Sequence, residues 1–309
     1  MVFSGNANRP LAESIAHNLG LPLGKADVLQ FSNENVFVRI KEVVREQDVF
    51  VVQPGASPVN TSIMELLIMI DALKRASAAR ITAVIPYYAY GRTDKKDQPR
   101  VPITARLIAD MITVAGANRV LTMDLHAGQI QGFFSIPVDE LTALRILSDY
   151  FAQGSYLDDV VVVAPDLGAA KRARNFAEKL GVPLAVIEKR REPTATKPEI
   201  LSVIGEVARK RAIIVDDEID TASSVVQAAK LLGQMGAEDV YATCTHPVLS
   251  DAAIERLQAS NIKEVVVTDT IPLPEHKRIP KITVLSVAAL FAEAIQRIHS
   301  GGSVGVLFR

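Results

Sequence analysis

Two consecutive carboxylates end an apolar segment in the stretch RAIIVDDEIDTASS, which spans residues 211–224. Unpaired carboxylates at the dry end of a buried strand are unfavourable, because desolvation and mutual repulsion both oppose ionisation. Asp216 and Asp217 therefore need cations, hydroxyl donors or water around them. Neighbouring hydroxyl groups of a sugar are donors of this kind. The pattern indicates a site that binds a vicinal diol.

Small and hydroxyl residues follow the acidic pair, where the periodic segment SSVVQAAKLLGQMG predicts a helix. Thr221, Ser223 and Ser224 stand at the predicted helix start, whose first backbone N–H groups have no partner within the helix. Such a start attracts phosphate. The alternative is that Asp220, Thr221 and Ser223 only cap the helix, which is the commoner use of such residues. Capping does not account for the acidic pair.

Two other protein classes place acidic residues after a strand, namely phosphorelay receivers and nucleotide hydrolases. The phosphate loop of the hydrolases needs Gly-x-x-x-x-Gly-Lys followed by Ser or Thr. The segment GLPLGKA at 20–26 has the wrong spacing and no hydroxyl residue after its lysine. A Gly-x-Gly-x-x-Gly dinucleotide motif is also missing from the sequence.

Short β-branched runs alternate with longer amphipathic segments along the whole chain, which is typical of α/β folds with parallel sheets flanked by helices. In such sheets ligands bind beyond the carboxyl ends of the strands, so the polar segments there are candidate site residues. Strands are predicted at 48–54, 80–88, 119–125, 159–166, 183–190, 211–218, 239–246 and 264–270. Helices are predicted near 61–76, 102–115, 168–180, 222–235 and 287–299.

The length of 309 residues predicts two domains of roughly 150 residues each. The same order of strands and helices occurs in both halves, and the halves join near 140–155. We therefore expect one domain at 1–146 and a second at 147–309, and packing of the last residues on the first domain is left open.

Composition excludes several classes of protein. Lys and Arg total 34 against 35 Asp and Glu, so no overall field favours nucleic acid or a membrane surface. No segment approaches the ~18 uninterrupted apolar residues of a membrane span, and MVFSGNANRP lacks the features of a signal peptide. Cys244 is the single cysteine, which excludes an internal disulfide and disfavours a cysteine-based zinc site. We expect a soluble, cytoplasmic protein.

The stretch VDDEIDTASS resembles the phosphoribosyl-binding motif of the type I phosphoribosyltransferase fold. Nearly the whole chain resembles ribose-phosphate pyrophosphokinases, through FSNEN, GRTDKKD, TMDLHAGQIQGFFSIPVD, VVAPDLGAAKRA, IEKRR and THPVLS. This resemblance implies two similar type I phosphoribosyltransferase-like domains, each a largely parallel sheet flanked by helices. It also implies transfer of the diphosphoryl group of ATP to the 1-hydroxyl of ribose 5-phosphate, with Mg2+, giving 5-phosphoribosyl 1-diphosphate and AMP.

The resemblance assigns roles to individual residues. Lys189 and Arg191 match catalytic lid residues that stabilise the transition state, and the Pro-bounded stretch EPTATKP after them predicts a mobile lid. His126 and Asp166 match magnesium-site residues. Because Mg2+ prefers oxygen ligands, Asp166 is the better candidate, and His126 has the alternative of bonding a metal-bound water or a phosphate.

Two further sets of residues are implied to bind the substrates. An aromatic face for adenine and a guanidinium for phosphates are expected in the nucleotide set. This set comprises Phe31, Asn33, Glu34, Asn35, Arg92 and Thr93. The ribose 5-phosphate set comprises Arg191, Asp216, Asp217, Asp220, Thr221, Ala222, Ser223 and Ser224.

Four positions depart from the family pattern. Ser223 stands where glycine is usual, which predicts strain or a different loop shape, since glycine tolerates backbone angles that serine does not. Asn35 replaces a glutamate, Thr93 a glutamine and Ala169 a glycine. These changes affect the nucleotide and sugar-phosphate contacts that the resemblance implies.

The regulatory residues of the family also differ. Members that ADP inhibits carry Ser, Asn and Ser where this chain has Gly128, Glu140 and Gly305. Loss of these polar contacts predicts weak or absent allosteric inhibition by ADP.

Two other functions remain as alternatives. A non-catalytic regulatory subunit would keep the fold without the chemistry, and a nucleobase phosphoribosyltransferase would share the sugar-phosphate loop. The presence of both candidate lid and metal residues disfavours the first, and the FSNEN and GRTDKKD stretches disfavour the second. The resemblance further implies a homo-oligomer, a hexamer built from dimers.

Overall fold

The computed structural model describes residues 1–153, 159–190 and 200–308, with the backbone alone at 189, 190, 200, 201 and 308. The chain forms two units. Unit 1 comprises Met1–Thr142, Thr270–Pro272 and Ser286–Arg309, and unit 2 comprises Ala143–Asp269 and Leu273–Leu285. The division thus differs from one cut after residue 146, because the C-terminal segment is grouped with the first unit.

Unit 1 contains an open sheet, a hairpin and the helices that cover the sheet. Its elements up to residue 141 are β1 (Val2–Ser4), α1 (Arg9–Asn18), β2 (Ala26–Gln30), β3 (Val36–Ile40), β4 (Asp48–Val52), α2 (Val59–Arg75), β5 (Arg80–Ile85), α3 (Thr104–Ala115), β6 (Arg119–Met123) and β7 (Val138–Leu141).

Five of these strands form a parallel sheet in the order β1-β4-β5-β6-β7. Its central strands are buried on both faces, which explains why DVFVV and RITAVI are almost continuously apolar. Val51 lies opposite Ala83, which lies opposite Val120, and all three are fully buried. The antiparallel hairpin of β2 and β3 is separate from this sheet.

Unit 2 begins with a helix and contains the larger sheet. Its elements are α4 (Leu144–Ala152), β8 (Val160–Ala164), α5 (Ala170–Leu180), β9 (Leu184–Arg190), β10 (Ile200–Ile204), β11 (Arg211–Ile219), α6 (Ser223–Gln234), β12 (Asp239–Pro247), α7 (Ala253–Ala259), β13 (Ile262–Thr268) and β14 (Ile282–Leu285). The chain returns to unit 1 in α8 (Ala288–Ser300).

The seven strands of unit 2 run in the order β10-β9-β8-β11-β12-β13-β14. Among the described strand pairs of this sheet, only that of β10 with β9 is antiparallel. The core lies between the central strands and the helices, and includes Val163, Ile214 and Leu232. Both units therefore contain a largely parallel sheet flanked by helices, which confirms the predicted fold class.

Every predicted strand and helix is present, with ends that agree to within three residues. The elements that the sequence did not predict are the edge strands β1, β7, β10 and β14, the hairpin of β2 and β3, and the helices α1, α4 and α7. The missed strands have only three to five residues, and the missed helices at most ten, so each offers few positions from which a period can be recognised.

Within the ranges that the structure describes, none of the helices combines the length and the hydropathy needed to cross a membrane.

Candidate active site

The carboxyl ends of two neighbouring strands bring the acidic residues of unit 2 together. β8 and β11 are adjacent and parallel, so Asp166, two residues beyond β8, and Asp216 lie at the same edge of the sheet. The negative charge of Asp166 contributes to the raised pKa of Asp216, which places the two carboxyl groups within electrostatic reach of each other. Three of the predicted site residues, Asp166, Asp216 and Asp217, thus converge at this edge.

Asp216 and Asp217 interact directly. The backbone N–H of Asp217 donates to Oδ1 of Asp216 at 2.9 Å, and Asp217 as a whole residue is only 6% exposed. Desolvation raises the pKa of Asp216 well above its usual range, and the side-chain hydrogen bond and the charge of Asp217 raise it further, whereas the backbone N–H bond acts in the opposite direction. Cys244, opposite Asp216 on β12, is buried, and its thiol pKa is raised as well, chiefly by burial.

The loop after β11 presents a row of backbone donors. Ala222 is the N-cap residue of α6, and its methyl group cannot accept a hydrogen bond. The first bond of the helix ladder runs from Val226 N–H to Ala222 O at 3.1 Å. In the described part of the chain, the N–H groups of five consecutive residues have no acceptor, namely those of Thr221, Ala222, Ser223, Ser224 and Val225.

The capping alternative accounts for little of this loop. Oδ1 of Asp220 accepts a hydrogen bond from Ser250 Oγ, on the loop after β12. Thr221 is half-buried, and its carbonyl accepts from Arg256 Nη1 at 2.7 Å. Sequence reasoning gave no role to Ser250 or Arg256. The only signal was the stretch THPVLS, which was part of the resemblance without an assigned function.

The expected strain at Ser223 is not observed. Ser223 is the first residue of α6, and the left-handed backbone conformation belongs to Ala222, with φ 60° and ψ 4°. The prediction of strain is therefore wrong for Ser223 itself, because the serine occupies a helical position, and the alternative of a different loop shape stays a prediction. Ala169 likewise has ordinary helical angles, φ −80° and ψ −8°, and needs no glycine.

Asp166 is fixed by the helix that follows it. Its Oδ1 accepts the N–H of Ala169 at 3.1 Å, at the start of α5. A Cβ added to Gly168 would lie 3.1 Å from the same oxygen, so the loop approaches the carboxylate closely. This arrangement leaves Oδ2 of the half-buried Asp166 available to a ligand.

The lid residues are described only in part. Lys189 lies near the end of β9, next to β8 in the sheet, and its backbone pairs with Leu201 on β10. Arg191 and the stretch EPTATKP lie outside the described residues.

In unit 1, His126 lies beside the loop that carries Arg92 and Thr93. A Cβ added to Gly91 would be 3.4 Å from the Cβ of His126. The side chains of His126 and Arg92 are exposed. Thr93 Oγ1 donates to the carbonyl of Tyr90 at 2.7 Å, which shapes this loop.

The other nucleotide candidates form the tip of the β2–β3 hairpin. Phe31 N–H donates to Asn35 O at 2.9 Å, and Asn35 N–H donates to Asn33 Oδ1 at 3.2 Å. Glu34 has a positive φ of 67°. The Phe31 ring packs on Phe37 with a centroid distance of 5.5 Å, yet Phe31 remains 51% exposed.

Comparison with known proteins agrees with this arrangement. A family model described as the N-terminal domain of ribose phosphate pyrophosphokinase matches residues 1–116, and one for the phosphoribosyl synthetase-associated domain matches residues 189–309. A ribose-phosphate pyrophosphokinase of Caldanaerobacter subterraneus is 60% identical over 99% of this chain and 97% of its own. The chain belongs to the ribose-phosphate pyrophosphokinase family.

Other members of the ribose-phosphate pyrophosphokinase family are similar over the same length. The relative from Clostridium acetobutylicum is 57% identical over 100% of this chain and 97% of its own. The crystal structure of phosphoribosylpyrophosphate synthetase from Mycobacterium smegmatis, 45% identical, superposes with a TM-score of 0.93 and covers 98% of this chain and 99% of that one. Membership therefore rests on the whole chain.

Proposed function

We propose that this protein transfers the diphosphoryl group of ATP to the 1-hydroxyl of ribose 5-phosphate, giving 5-phosphoribosyl 1-diphosphate and AMP. Beyond family membership, one observation supports this proposal most directly. The acidic pair at the end of β11 is followed at once by five backbone N–H groups without acceptors in the described chain. The first feature suits sugar hydroxyls and the second suits a phosphate ester.

The sugar phosphate is expected to bind across this loop. Asp216 and Asp217 accept hydrogen bonds from the 2- and 3-hydroxyls, while the N–H groups of residues 221–225 and the Ser224 hydroxyl surround the 5-phosphate. Binding of hydroxyl donors offsets the repulsion between the carboxylates and thus favours their ionised form. The anomeric oxygen is then held near the sheet edge that carries Asp166.

Mg2+ is the metal that this reaction class requires, and Asp166 fits it. Magnesium usually binds one or two carboxylates and takes its remaining ligands from phosphates and water. Asp166 offers a carboxylate oxygen, and within the described residues no three His, Cys, Asp or Glu side chains form a group that could hold a metal ion by themselves. When bound, the ion neutralises charge on the phosphates. His126 is proposed as a partner of the nucleotide phosphates or of their bound water.

Positioning and charge compensation supply most of the catalysis in phosphoryl transfer. The anomeric oxygen loses its proton to solvent and forms a bond to the β-phosphorus, while the bond from that phosphorus to the α,β-bridging oxygen breaks and its electron pair leaves with AMP. Lys189 and Arg191 are proposed to stabilise the charge that develops in the transition state. Closure of the lid over them would exclude water, which limits hydrolysis of ATP.

The nucleotide is proposed to bind through the hairpin tip and the Arg92 loop. The exposed face of Phe31 suits stacking on adenine, and the polar groups of Asn33, Glu34 and Asn35 suit the base edge. Arg92 offers a guanidinium, and Thr93 a hydroxyl, to the phosphates. The hexamer, the cytoplasmic location and the absence of nucleic-acid partners stay predictions.

A phosphorus NMR experiment tests the function. The purified protein is incubated with ATP, Mg2+ and ribose 5-phosphate, and the phosphorus species are followed. We expect AMP and a sugar diphosphate in equal amounts. Absence of turnover would favour a regulatory subunit, and consumption of added 5-phosphoribosyl 1-diphosphate with a nucleobase would favour a phosphoribosyltransferase.

A further inference from the structure

The segment that follows β12 donates hydrogen bonds to the loop after β11, which is the proposed sugar-phosphate loop. We name residues 248–256 the bracing segment. It donates hydrogen bonds to the carbonyls of three consecutive residues, 219, 220 and 221. These bonds run from Leu249 N–H to Ile219 O at 2.9 Å, from Ser250 N–H to Asp220 O at 3.0 Å, and from Arg256 Nη1 to Thr221 O at 2.7 Å.

These bonds fix the direction of the amides as well as the carbonyls. In a planar trans peptide, the N–H and the C=O of the same peptide group point in opposite directions. Because the Thr221 carbonyl faces Arg256, the Ala222 N–H points away from Arg256. By the same argument the Thr221 N–H points away from Ser250. Neither amide has an acceptor in the described chain, so both stay available on the side opposite the bracing segment.

Ser250 makes a second contact through its side chain. Its Oγ donates to Oδ1 of Asp220, so one residue holds both the carbonyl and the carboxylate of Asp220. Asp220 is thereby oriented by the bracing segment, and a hydroxyl is required at position 250 for this contact.

The bracing segment itself has an unusual backbone. Leu249 and Asp251 adopt positive φ angles of 46° and 51°, and Leu249 is fully buried. Side-chain-bearing residues keep such angles only where the surrounding structure determines them. The three bonds to the loop and the burial of Leu249 supply that constraint.

We propose that Ser250 and Arg256 are positioning residues for the binding of the 5-phosphate of ribose 5-phosphate. They act through the loop and do not touch the substrate. The inference rests on the proposed function, because it assigns the amides of residues 221 and 222 to the sugar phosphate. Arg256 adds a positive charge behind the loop, and its side chain is 39% exposed, so its replacement leaves the core intact.

Two variants test the proposal, Ser250→Ala and Arg256→Leu. Each is assayed for KM of ribose 5-phosphate, KM of ATP, kcat and thermal midpoint. We expect KM for ribose 5-phosphate to rise about fivefold in each variant, the scale of one lost hydrogen bond. KM for ATP should stay within about twofold, because the nucleotide is expected to bind to other residues.

Two control variants separate positioning from general damage. Ser250→Thr keeps the hydroxyl and should restore KM to near the wild-type value. Arg278→Leu removes an exposed arginine of the same unit that lies outside the bracing segment, donates to Leu273 O at 3.2 Å and pairs with Glu275. It should leave both KM values unchanged.

An unchanged KM for ribose 5-phosphate in both test variants would overturn the proposal, and so would equal rises in the two KM values. If Ser250→Ala fails to fold, Arg256→Leu decides alone. Turnover by the wild-type protein in the same assay tests the proposed function separately from the bracing role. No turnover by the wild type overturns both proposals, whereas normal turnover with unaffected variants overturns the bracing role alone.

Discussion

The backbone N–H of Asp217 donates to Oδ1 of Asp216 at 2.9 Å, and this bond orients the Asp216 carboxyl group at the end of β11. The pKa of Asp216 is nevertheless raised, first by desolvation and then by the side-chain hydrogen bond and the charge of Asp217, which together outweigh the opposite effect of the backbone bond. A carboxyl in this state opposes the folding of the ligand-free protein once it ionises. It is suited to neutralisation by a bound ligand.

This raised pKa predicts a pH-dependent effect of Asp216→Asn on stability. The folded protein keeps the Asp216 proton to a higher pH than the unfolded chain does. The stability from this group is therefore complete below the unfolded pKa, about 3.9, and is lost as pH rises through the folded pKa. We expect the variant to match the wild type near pH 4 and to exceed it in stability by a growing margin as the pH rises toward 8.

Urea unfolding of the ligand-free proteins between pH 4 and pH 8 measures this difference. Asp251→Asn, which changes an exposed carboxylate, is the control and should show no trend. A constant difference between Asp216→Asn and wild type across the pH range would contradict the assignment.

The proposed role of Lys189 in stabilising the transition state predicts that Lys189→Ala greatly lowers kcat. Loss of one preorganised contact to the transition state lowers kcat by about 100-fold or more. KM for both substrates should change much less. Lys179→Ala, an exposed residue of α5, is the matched control. A wild-type kcat in Lys189→Ala would remove Lys189 from its catalytic role.

Ser223→Gly is expected to be nearly silent for catalysis. Position 223 has helical angles here, so the glycine usual in the family relieves no strain. We expect KM for ribose 5-phosphate within about twofold of wild type and a loss of stability below about 1 kcal/mol, since glycine is a poor helix residue. Steady-state kinetics and thermal unfolding provide both values. A large gain in activity would show that the serine distorts the loop on ligand binding.

Inhibition by ADP is expected to be weak and competitive with ATP. Glu140, in place of asparagine, accepts hydrogen bonds from Leu125 N–H at 2.9 Å and from Gln131 Nε2, so its carboxylate is already occupied. A Cβ at Gly128 would have nothing within 4 Å, which leaves room for the serine of other members. A Cβ at Gly305 would lie 3.5 Å from the nearest atom, which also leaves room for a serine.

Initial rates at several ADP and ATP concentrations test this expectation. The triple variant Gly128→Ser, Glu140→Asn, Gly305→Ser should gain non-competitive inhibition without a change in basal KM for ATP. Strong non-competitive inhibition of the wild type would contradict the prediction.

Glu65→Gln is expected to destabilise the protein through unit 1. The Glu65 carboxylate is 5% exposed and accepts three hydrogen bonds, from Asn6 N–H at 2.9 Å, Asn6 Nδ2 at 2.7 Å and Gln53 Nε2 at 2.7 Å. The NH2 group of glutamine would place a donor against these donors, which lowers the free energy of unfolding by about 2 kcal/mol. Glu13→Gln, in an exposed pair with Arg9, should cost under about 0.5 kcal/mol. Urea unfolding compares the two variants.

The strand and helix order was predictable because both sheets are buried on both faces. Continuous apolar runs such as VVVVA in β8 follow directly from that burial. The edge strands and the β2–β3 hairpin were not predictable, because strands of three to five residues are too short to show a clear period. The inclusion of α8 in unit 1 depends on tertiary packing, which no local pattern encodes.

The sequence alone determined three features of the site: the acidic pair, the hydroxyl residues and their position after a strand. Residue type and short spacing determine which hydrogen bonds a loop can offer. The backbone angles of the loop could not be predicted from the sequence. The residue with left-handed angles is Ala222 and not Ser223. Ser250 and Arg256 lie 30 and 35 positions beyond their partners Asp220 and Thr221. Only the parallel pairing of β11 with β12 brings the two loops to the same edge, and contact across such a separation is a property of the folded chain.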